Sequence, residues 1–162
     1  HVRKKFASIN ILINCAGIFM IKSIEKSTIE DFDKSINLNV KAPFILSREF
    51  SKDMITKKWG RIMFVGSSSS YSGFENGSVY CASKHSVLGL SRALNIELKK
   101  KNVRVLCISP SSTKTNMGKI SVDQDFNTFL NPKEVAEYII FVLSFDNEMS
   151  IDESKLNRMI MK

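Results

Sequence analysis

Exchanging a proton near neutrality needs a weak acid and a charge to tune it. Tyr80 and Lys84 are residues of those two types. Tyr80 and Lys84 stand four positions apart, so on a helix they share a face and are neighbours. A free phenol titrates near pH 10, and an ammonium one turn away is expected to hold it as phenolate closer to neutrality. Ser67 lies thirteen positions before Tyr80, in the run Gly66-Ser67-Ser68-Ser69-Ser70. Taken singly, each has a duller reading. Tyr80 would be an amphipathic helix residue with a wet hydroxyl, Lys84 part of a solvated face, and Ser67 one of four interchangeable loop serines.

The elements that must position these groups follow a repeating pattern of a short apolar run and a longer amphipathic segment. That pattern predicts parallel strands joined by crossover helices, an α/β fold. Ile9 to Ile13 reads as a strand ended by the small residues of Asn14-Cys15-Ala16-Gly17. Ser27 and Thr28 with Glu30 and Asp31 signal a helix start. Ile29, Phe32, Ile36, Val40, Phe44, Leu46 and Phe50 then recur at helical spacing. Arg61 to Val65 is a second strand, running into a serine loop too polar to be buried. From Ser78 to Lys101 no proline intervenes, and Val87, Leu90, Leu94 and Leu98 make an apolar stripe suited to packing on a sheet. Val103 to Ile108 is a third strand, closed by Ser109-Pro110-Ser111-Ser112, and Thr113 to Asn131 reads as irregular. Pro132 opens a helix through Phe145, and the tail from Ser150 to Lys162 is expected to hold a last short strand. All the polar strand ends fall at the carboxyl edge of the sheet, where open α/β proteins bind ligands.

Composition narrows the function classes. The 162 residues are 43% hydrophobic and 25% charged, enough for a core, and no apolar run approaches the roughly 20 residues that cross a bilayer. The opening His1-Val2-Arg3-Lys4-Lys5 leads into an amphipathic stretch and not a secretory signal, so a soluble, cytoplasmic protein is expected. Cys15, Cys81 and Cys107 are odd in number and lack metal-ligand spacing, which predicts buried, reduced thiols and no metal site. The formal charge of +8 raises the question of nucleic acid. The lysines are scattered, however, and the one run, Lys99-Lys100-Lys101, sits where a helix ends and its dipole favours cations. No nucleic-acid or membrane partner is expected.

Several segments together resemble the classical short-chain dehydrogenase/reductase family, across essentially the whole chain. Asn14-Cys15-Ala16-Gly17 is similar to its Asn-x-Ala-Gly turn, and Asn39-Val40 with Phe44 to its catalytic Asn segment. The interval from Ser67 to Tyr80 is the family's usual one, and Tyr80-Cys81-Ala82-Ser83-Lys84 matches its Tyr-x-x-x-Lys core. Pro110-Ser111 with Thr115 and Met117 falls where the family has Pro-Gly and then Thr-x-Met, Ser111 standing in for the glycine.

The resemblance implies a Rossmann-like doubly wound sheet and an NAD- or NADP-dependent oxidoreductase that interconverts a carbonyl and an alcohol. Asn39, Ser67, Tyr80 and Lys84 would be catalytic, the Asn39 side-chain carbonyl seating a relay water. Asn14, Ala16, Gly17, Tyr80, Lys84, Pro110, Thr113 and Thr115 would bind cofactor. A small-molecule substrate and a homodimer or homotetramer are implied. A narrower activity is 3-oxoacyl-acyl-carrier-protein reduction, for which Lys58 and Lys101 occupy positions comparable to basic residues of some such reductases. A different class is a non-catalytic interaction module. The family's first strand, its Gly-rich phosphate-binding turn and two more strands do not occur before Asn14. Residues 1–162 are therefore expected to be a single catalytic portion, a fragment or truncated product lacking the first three strands. That leaves Ile9 to Ile13 as an apolar edge.

Overall fold

Apolar runs become strands, and each of the first three is followed by helix that carries the chain back to the same edge. A computed structural model describes residues 5–159, so His1 to Lys4 and the last three residues of the expected tail segment lie outside the described residues. The strands β1 (Ile11–Asn14), β2 (Gly60–Val65), β3 (Val103–Pro110) and β4 (Glu153–Leu156) lie side by side in that order, all parallel. The helices are α1 (Ile29–Ile36), α2 (Ala42–Lys57), α3 (Ser78–Lys99) and α4 (Pro132–Ser144).

Strand periodicity divides the core into two layers. Ile62 and Phe64 of β2 and Val103, Val105 and Cys107 of β3 face Met54 of α2 and Val87, Leu88 and Leu98 of α3. The alternate residues Met63, Leu106 and Ile108 face Val142 of α4. The expected stripe on α3 is therefore in the core, Leu90 and Leu94 packing partly buried beside Val87 and Leu98. β1 forms an edge, with Ile11 and Ile13 each 44% exposed.

The helix start at Thr28 is a complete capping box: Asp31 N–H donates to Thr28 Oγ1 at 3.1 Å, and Thr28 N–H to an Asp31 carboxylate oxygen at 3.1 Å. Beyond α1 the structure departs from the sequence pattern. Asn37–Lys41 forms a π-helical turn between α1 and α2. Pro43 explains it: proline has no N–H to give the Asn39 carbonyl four residues earlier, and its ring would crowd that carbonyl, so the turn widens. The residues turned inward along this run are Ser35, Asn39, Pro43, Ser47, Ser51 and Met54. Ile29, Phe32, Phe44 and Leu46, expected on the core stripe, are exposed instead. The inward positions recur every four residues through the turn, so Ile36, Val40 and Phe44, each one residue further along, fall on a neighbouring face.

Two smaller expectations are also corrected. Cys15 is exposed, because it follows the last paired residue of an edge strand; Cys81 and Cys107 are buried, and none of the three forms a disulfide. The serine loop after β2 is buried at Ser67, Ser69 and Ser70, since its hydroxyls bond its own backbone. Among the described residues no helix is long and apolar enough to cross a membrane.

Candidate active site

The carboxyl ends of β1, β2 and β3 and the first two turns of α3 meet around Tyr80. The serine loop is a single tight turn, Ser68–Ser70, its start closed by a reciprocal pair of hydroxyls. Ser69 N–H donates to Ser67 Oγ at 3.1 Å, and Ser67 N–H donates to Ser70 Oγ at 3.2 Å. This satisfies backbone groups that burial would otherwise strand. Gly66 lets the turn lie against β3: a Cβ there would come within 2.5 Å of Ser109 Oγ and 2.9 Å of Cys107 Sγ. Ser67 is thereby held near Tyr80, whose pKa it draws down.

Tyr80 is 7% exposed and Lys84 8%. Lys84 Nζ lies 5.8 Å from the centre of the Tyr80 ring and donates to the Val65 carbonyl at the end of β2, at 2.8 Å. The expected effect of this lysine on the phenol is corrected by that geometry. Burial raises the Tyr80 pKa above the usual phenol value, and what partly offsets it is the nearby Ser67 side chain. The ammonium is turned to a backbone carbonyl, 5.8 Å from the ring centre. Lys84 itself is lowered to about 8 by burial, and among the described residues no carboxylate pairs with it.

Asn39 sits in the π-helical turn and is 2% exposed. Its Oδ1 accepts from Ile18 N–H at 2.8 Å. Its Nδ2 donates to Ile18 O at 3.0 Å and to Ser83 Oγ at 3.0 Å. Ser83 Oγ in turn donates to the Tyr80 carbonyl at 2.7 Å. The side-chain carbonyl expected to seat a water is thus occupied by the backbone after β1. Asn39 joins that loop to α3, and a Cβ on Gly17 would meet its Oδ1 at 3.1 Å and Lys84 Nζ at 3.9 Å.

The other residues singled out in the sequence divide into two groups. Asn14 is buried at the end of β1; its Nδ2 donates to Ser47 Oγ at 3.3 Å and its Oδ1 has no partner. Ala16 and Gly17 follow in the same turn, Ala16 exposed. Pro110 ends β3, and the next side chain, Ser111 Oγ, is buried without a partner. Thr113 and Thr115 are not drawn toward Tyr80 by any described contact. Thr113 Oγ1 bonds back to Ser111 O at 2.9 Å, and Thr115 Oγ1 to Thr113 O at 3.3 Å. Two residues that sequence reasoning missed stand beside Tyr80: Phe19 packs edge-on at 4.7 Å between ring centres, and Phe74 lies at 6.5 Å. Lys58 and Lys101 flank the starts of β2 and β3, at the amino edge opposite Tyr80.

The family model described as short chain dehydrogenase matches residues 1–125. The chain belongs to that family. A 3-oxoacyl-acyl-carrier-protein reductase of Rickettsia typhi is 32% identical over 149 residues, covering 86% of this chain and 62% of that protein. An NAD-dependent glycerol dehydrogenase of Listeria innocua is 29% identical, covering 89% of this chain and 61% of that protein. Among solved structures, a 4-hydroxyisoleucine dehydrogenase complexed with NADH matches with a TM-score of 0.83 at 31% identity, over 96% of this chain and 70% of that one. A serine dehydrogenase complexed with NADP+ matches at 0.84 and 26% identity, over 94% and 66%. The chain spans about 62% of the length of the curated Rickettsia typhi relative. Its sheet is the Rossmann-like α/β sheet of this short-chain dehydrogenase family.

Proposed function

We propose that this protein is an NAD- or NADP-dependent oxidoreductase that interconverts a carbonyl and an alcohol, with Tyr80 exchanging the proton. The observation that carries the reading is buried Tyr80, with Ser67 near it, one helical turn from a buried Lys84 that has no carboxylate partner among the described residues. Titratable groups shifted by burial at a strand-end cleft are characteristic of active sites. The family membership and the cofactor-bound relatives support it.

The residues present fit a nicotinamide nucleotide. Asn14 Oδ1 and Ser111 Oγ are buried polar atoms without partners, and Lys84 offers donors beyond the one used by Val65. Asn14, Ala16, Gly17, Lys84 and Pro110 would line its nicotinamide and ribose, and Thr113 and Thr115 would join them only if their segment moved. The cofactor, when bound, supplies or accepts the hydride at the carbonyl carbon. Tyr80, protonated at neutral pH because burial raises its pKa, gives its proton to the carbonyl oxygen as the alcohol forms. Ser67 holds that oxygen in line with Tyr80. In the reverse direction Tyr80 must first lose its proton, so alcohol oxidation rises with pH.

Other parts of the reading have their own support. Exposed Phe44, Ile45 and Leu46 on α2, and Ile140 and Phe141 on α4, support a homodimer or homotetramer. Free Cys81 and Cys107 suit a reducing compartment such as the cytoplasm. Two core layers sharing β2 and β3 support residues 1–162 acting as one unit. The 3-oxoacyl-acyl-carrier-protein reductase reading is favoured by the Rickettsia relatives. Against it, Lys58 and Lys101 stand at the sheet edge opposite Tyr80, where they cannot steer an acidic carrier into the same subunit's site. The non-catalytic module is disfavoured, since such a module has no use for a buried, uncompensated lysine.

The test is turnover of the full-length protein with NADH or NADPH and a panel of ketones. Tyr80→Phe is expected to lower kcat by about 10³-fold while leaving the fold intact. A Tyr80→Phe protein that turns over like wild type overturns the assignment.

A further inference from the structure

Two segments carry the hydroxyls of the proposed reaction, the serine turn with Ser67 and α3 with Tyr80, and both are bonded to one carboxylate on the last strand. Tyr71 closes the turn, its N–H donating to Ser68 O at 3.1 Å. Its hydroxyl donates to Glu153 Oε2 at 3.0 Å. Arg92 of α3, roughly three helical turns beyond Tyr80, holds the same carboxylate by two bonds, Nε to Oε1 at 2.5 Å and Nη2 to Oε2 at 2.9 Å. Glu153 opens β4, opposite Cys107 of β3 and 82 positions after Tyr71.

The neighbouring acid makes a different connection. Asp152 Oδ1 accepts from Asn95 of α3 at 2.9 Å and from Ser150 at 2.8 Å, which joins strand to helix, and its side chain has no bond to the serine turn. Lys155, two residues along β4, sets its ammonium 3.8 Å from the centre of the Tyr71 ring, so β4 holds Tyr71 by its face as well as its hydroxyl. The other side of the turn is pressed on β3, where a Cβ on Gly66 would come within 2.5 Å of Ser109 Oγ and 3.2 Å of Ser70 Oγ. Arg92 holds the Glu153 carboxyl below the usual carboxylate range, so at neutral pH it only accepts hydrogen bonds. The Arg92 and Glu153 side chains are 56% and 31% exposed, and an ion pair that open to water adds little stability. Its effect is felt in position, where a displacement of about 1 Å between reacting groups costs about 10²-fold in rate.

We infer that Glu153 is a positioning residue for proton transfer, fastening the Ser67 turn to the helix of Tyr80 through Tyr71 and Arg92. The inference rests on the oxidoreductase reading above and adds to it a residue that acts through its neighbours. The full-length protein is assayed for reduction of ethyl acetoacetate, cyclohexanone and acetophenone with NADH or NADPH, and amide hydrogen exchange is followed from Ser68 to Tyr71. Glu153→Ala and Tyr71→Phe are each expected to lower kcat about tenfold with the cofactor KM unchanged, and to speed exchange in the turn about tenfold. The double variant falls no further than either single one, because both cut the same link. Glu153→Gln, which keeps an acceptor for the Tyr71 hydroxyl, recovers most of the rate. Asp152→Ala, which loosens β4 from α3 and leaves Tyr71 alone, keeps wild-type kcat and wild-type exchange in the turn. Tyr71→Phe removes a single oxygen and serves where Glu153→Ala fails to fold. Wild-type kcat in Tyr71→Phe, losses that multiply in the double variant, an equal loss in Asp152→Ala, or exchange unmoved by Glu153→Ala and Tyr71→Phe overturns the inference. A failure of the oxidoreductase reading looks different: wild type reduces none of the three ketones, or Tyr80→Phe retains full turnover, while exchange in the turn still responds to Glu153→Ala.

Discussion

Strand β2 has a buried cation at each end, and the two are held in different ways. At its amino end Arg61 is 1% exposed. Its guanidinium donates to Asp146 Oδ1 at 2.5 Å, to Phe145 O at 3.1 Å and to Gly60 O at 2.9 Å, and Trp59 stacks on it at 4.5 Å. Trp59 Nε1 donates to the same Asp146 oxygen at 2.9 Å. The indole N–H, followed by Arg61, holds the Asp146 carboxyl below the usual carboxylate range. Arg104 adds bonds to the carbonyls of Phe145, Asn147 and Met149. The chain after α4 is thus fastened beneath the sheet. At the carboxyl end Lys84 has one carbonyl and, among the described residues, no carboxylate. A buried charge surrounded by its counter-ion and acceptors serves the fold, whereas one left short of partners costs stability and is kept for chemistry.

Lys84→Met separates the two roles most sharply. Turnover of the full-length protein is expected to fall by about 10²–10³-fold. Stability at pH 7 is expected to rise by about 2 kcal/mol. Removing the buried charge contributes about 3 kcal/mol, from the distance between about 8 in the folded state and 10.5 when free. The Val65 carbonyl left without a donor takes back about 1 kcal/mol. The unfolded chain binds this proton more tightly, so wild type gains on the variant as pH rises from about 8 to 10.5. The variant's advantage is full below that window and gone above it. Thermal melts at pH 7 and pH 10.5 check this, and a variant less stable than wild type at pH 7 would contradict the comparison.

Arg61→Ala should do the reverse. It is expected to destabilise by about 3 kcal/mol in urea titration, through lost packing and lost charged hydrogen bonds, with kcat of the folded protein unchanged. Asn39→Ala lies between the ends in kind. It frees the Ile18 N–H and the Ser83 hydroxyl, costs about 2 kcal/mol and lowers kcat by loosening Tyr80's helix from the loop after β1. The smallest effect separates neighbours in the serine run. Exposed Ser68→Ala should stay within about 0.5 kcal/mol of wild type with turnover intact. Buried Ser67→Ala loses both turnover and the turn's first cap.

The α/β pattern, the strands and the pairing of Tyr80 with Lys84 were legible because apolar runs and helical spacing are local signals. What was not legible depended on groups meeting across the fold. The serine run looks like solvent-facing loop by composition, yet Ser67 and Ser70 satisfy each other's ends and sink. The stripe on α1 and α2 is misplaced because Ser35, Asn39, Ser47 and Ser51, small or polar, take the inward face, which an apolar period cannot anticipate. Phe19 and Phe74 are far apart in sequence and share no periodicity, so nothing short of the fold brings them to Tyr80. Their one local trace was Gly77, against the Phe74 ring at the start of a helix where a capping hydroxyl or carboxamide is more usual.

Each strand of the sheet joins the one made just before it. A chain leaving the ribosome can lay β2 on β1, then β3 on β2, then β4 on β3, without waiting for a later segment to insert between earlier ones. The helix bearing Tyr80 and Lys84 is synthesised before β3, which covers it. During that interval Lys84 is still hydrated, and its hold on its proton weakens toward the folded value of about 8 only when the third strand arrives. Assembly order therefore sets the moment at which the lysine becomes a perturbed group, the docking of β3.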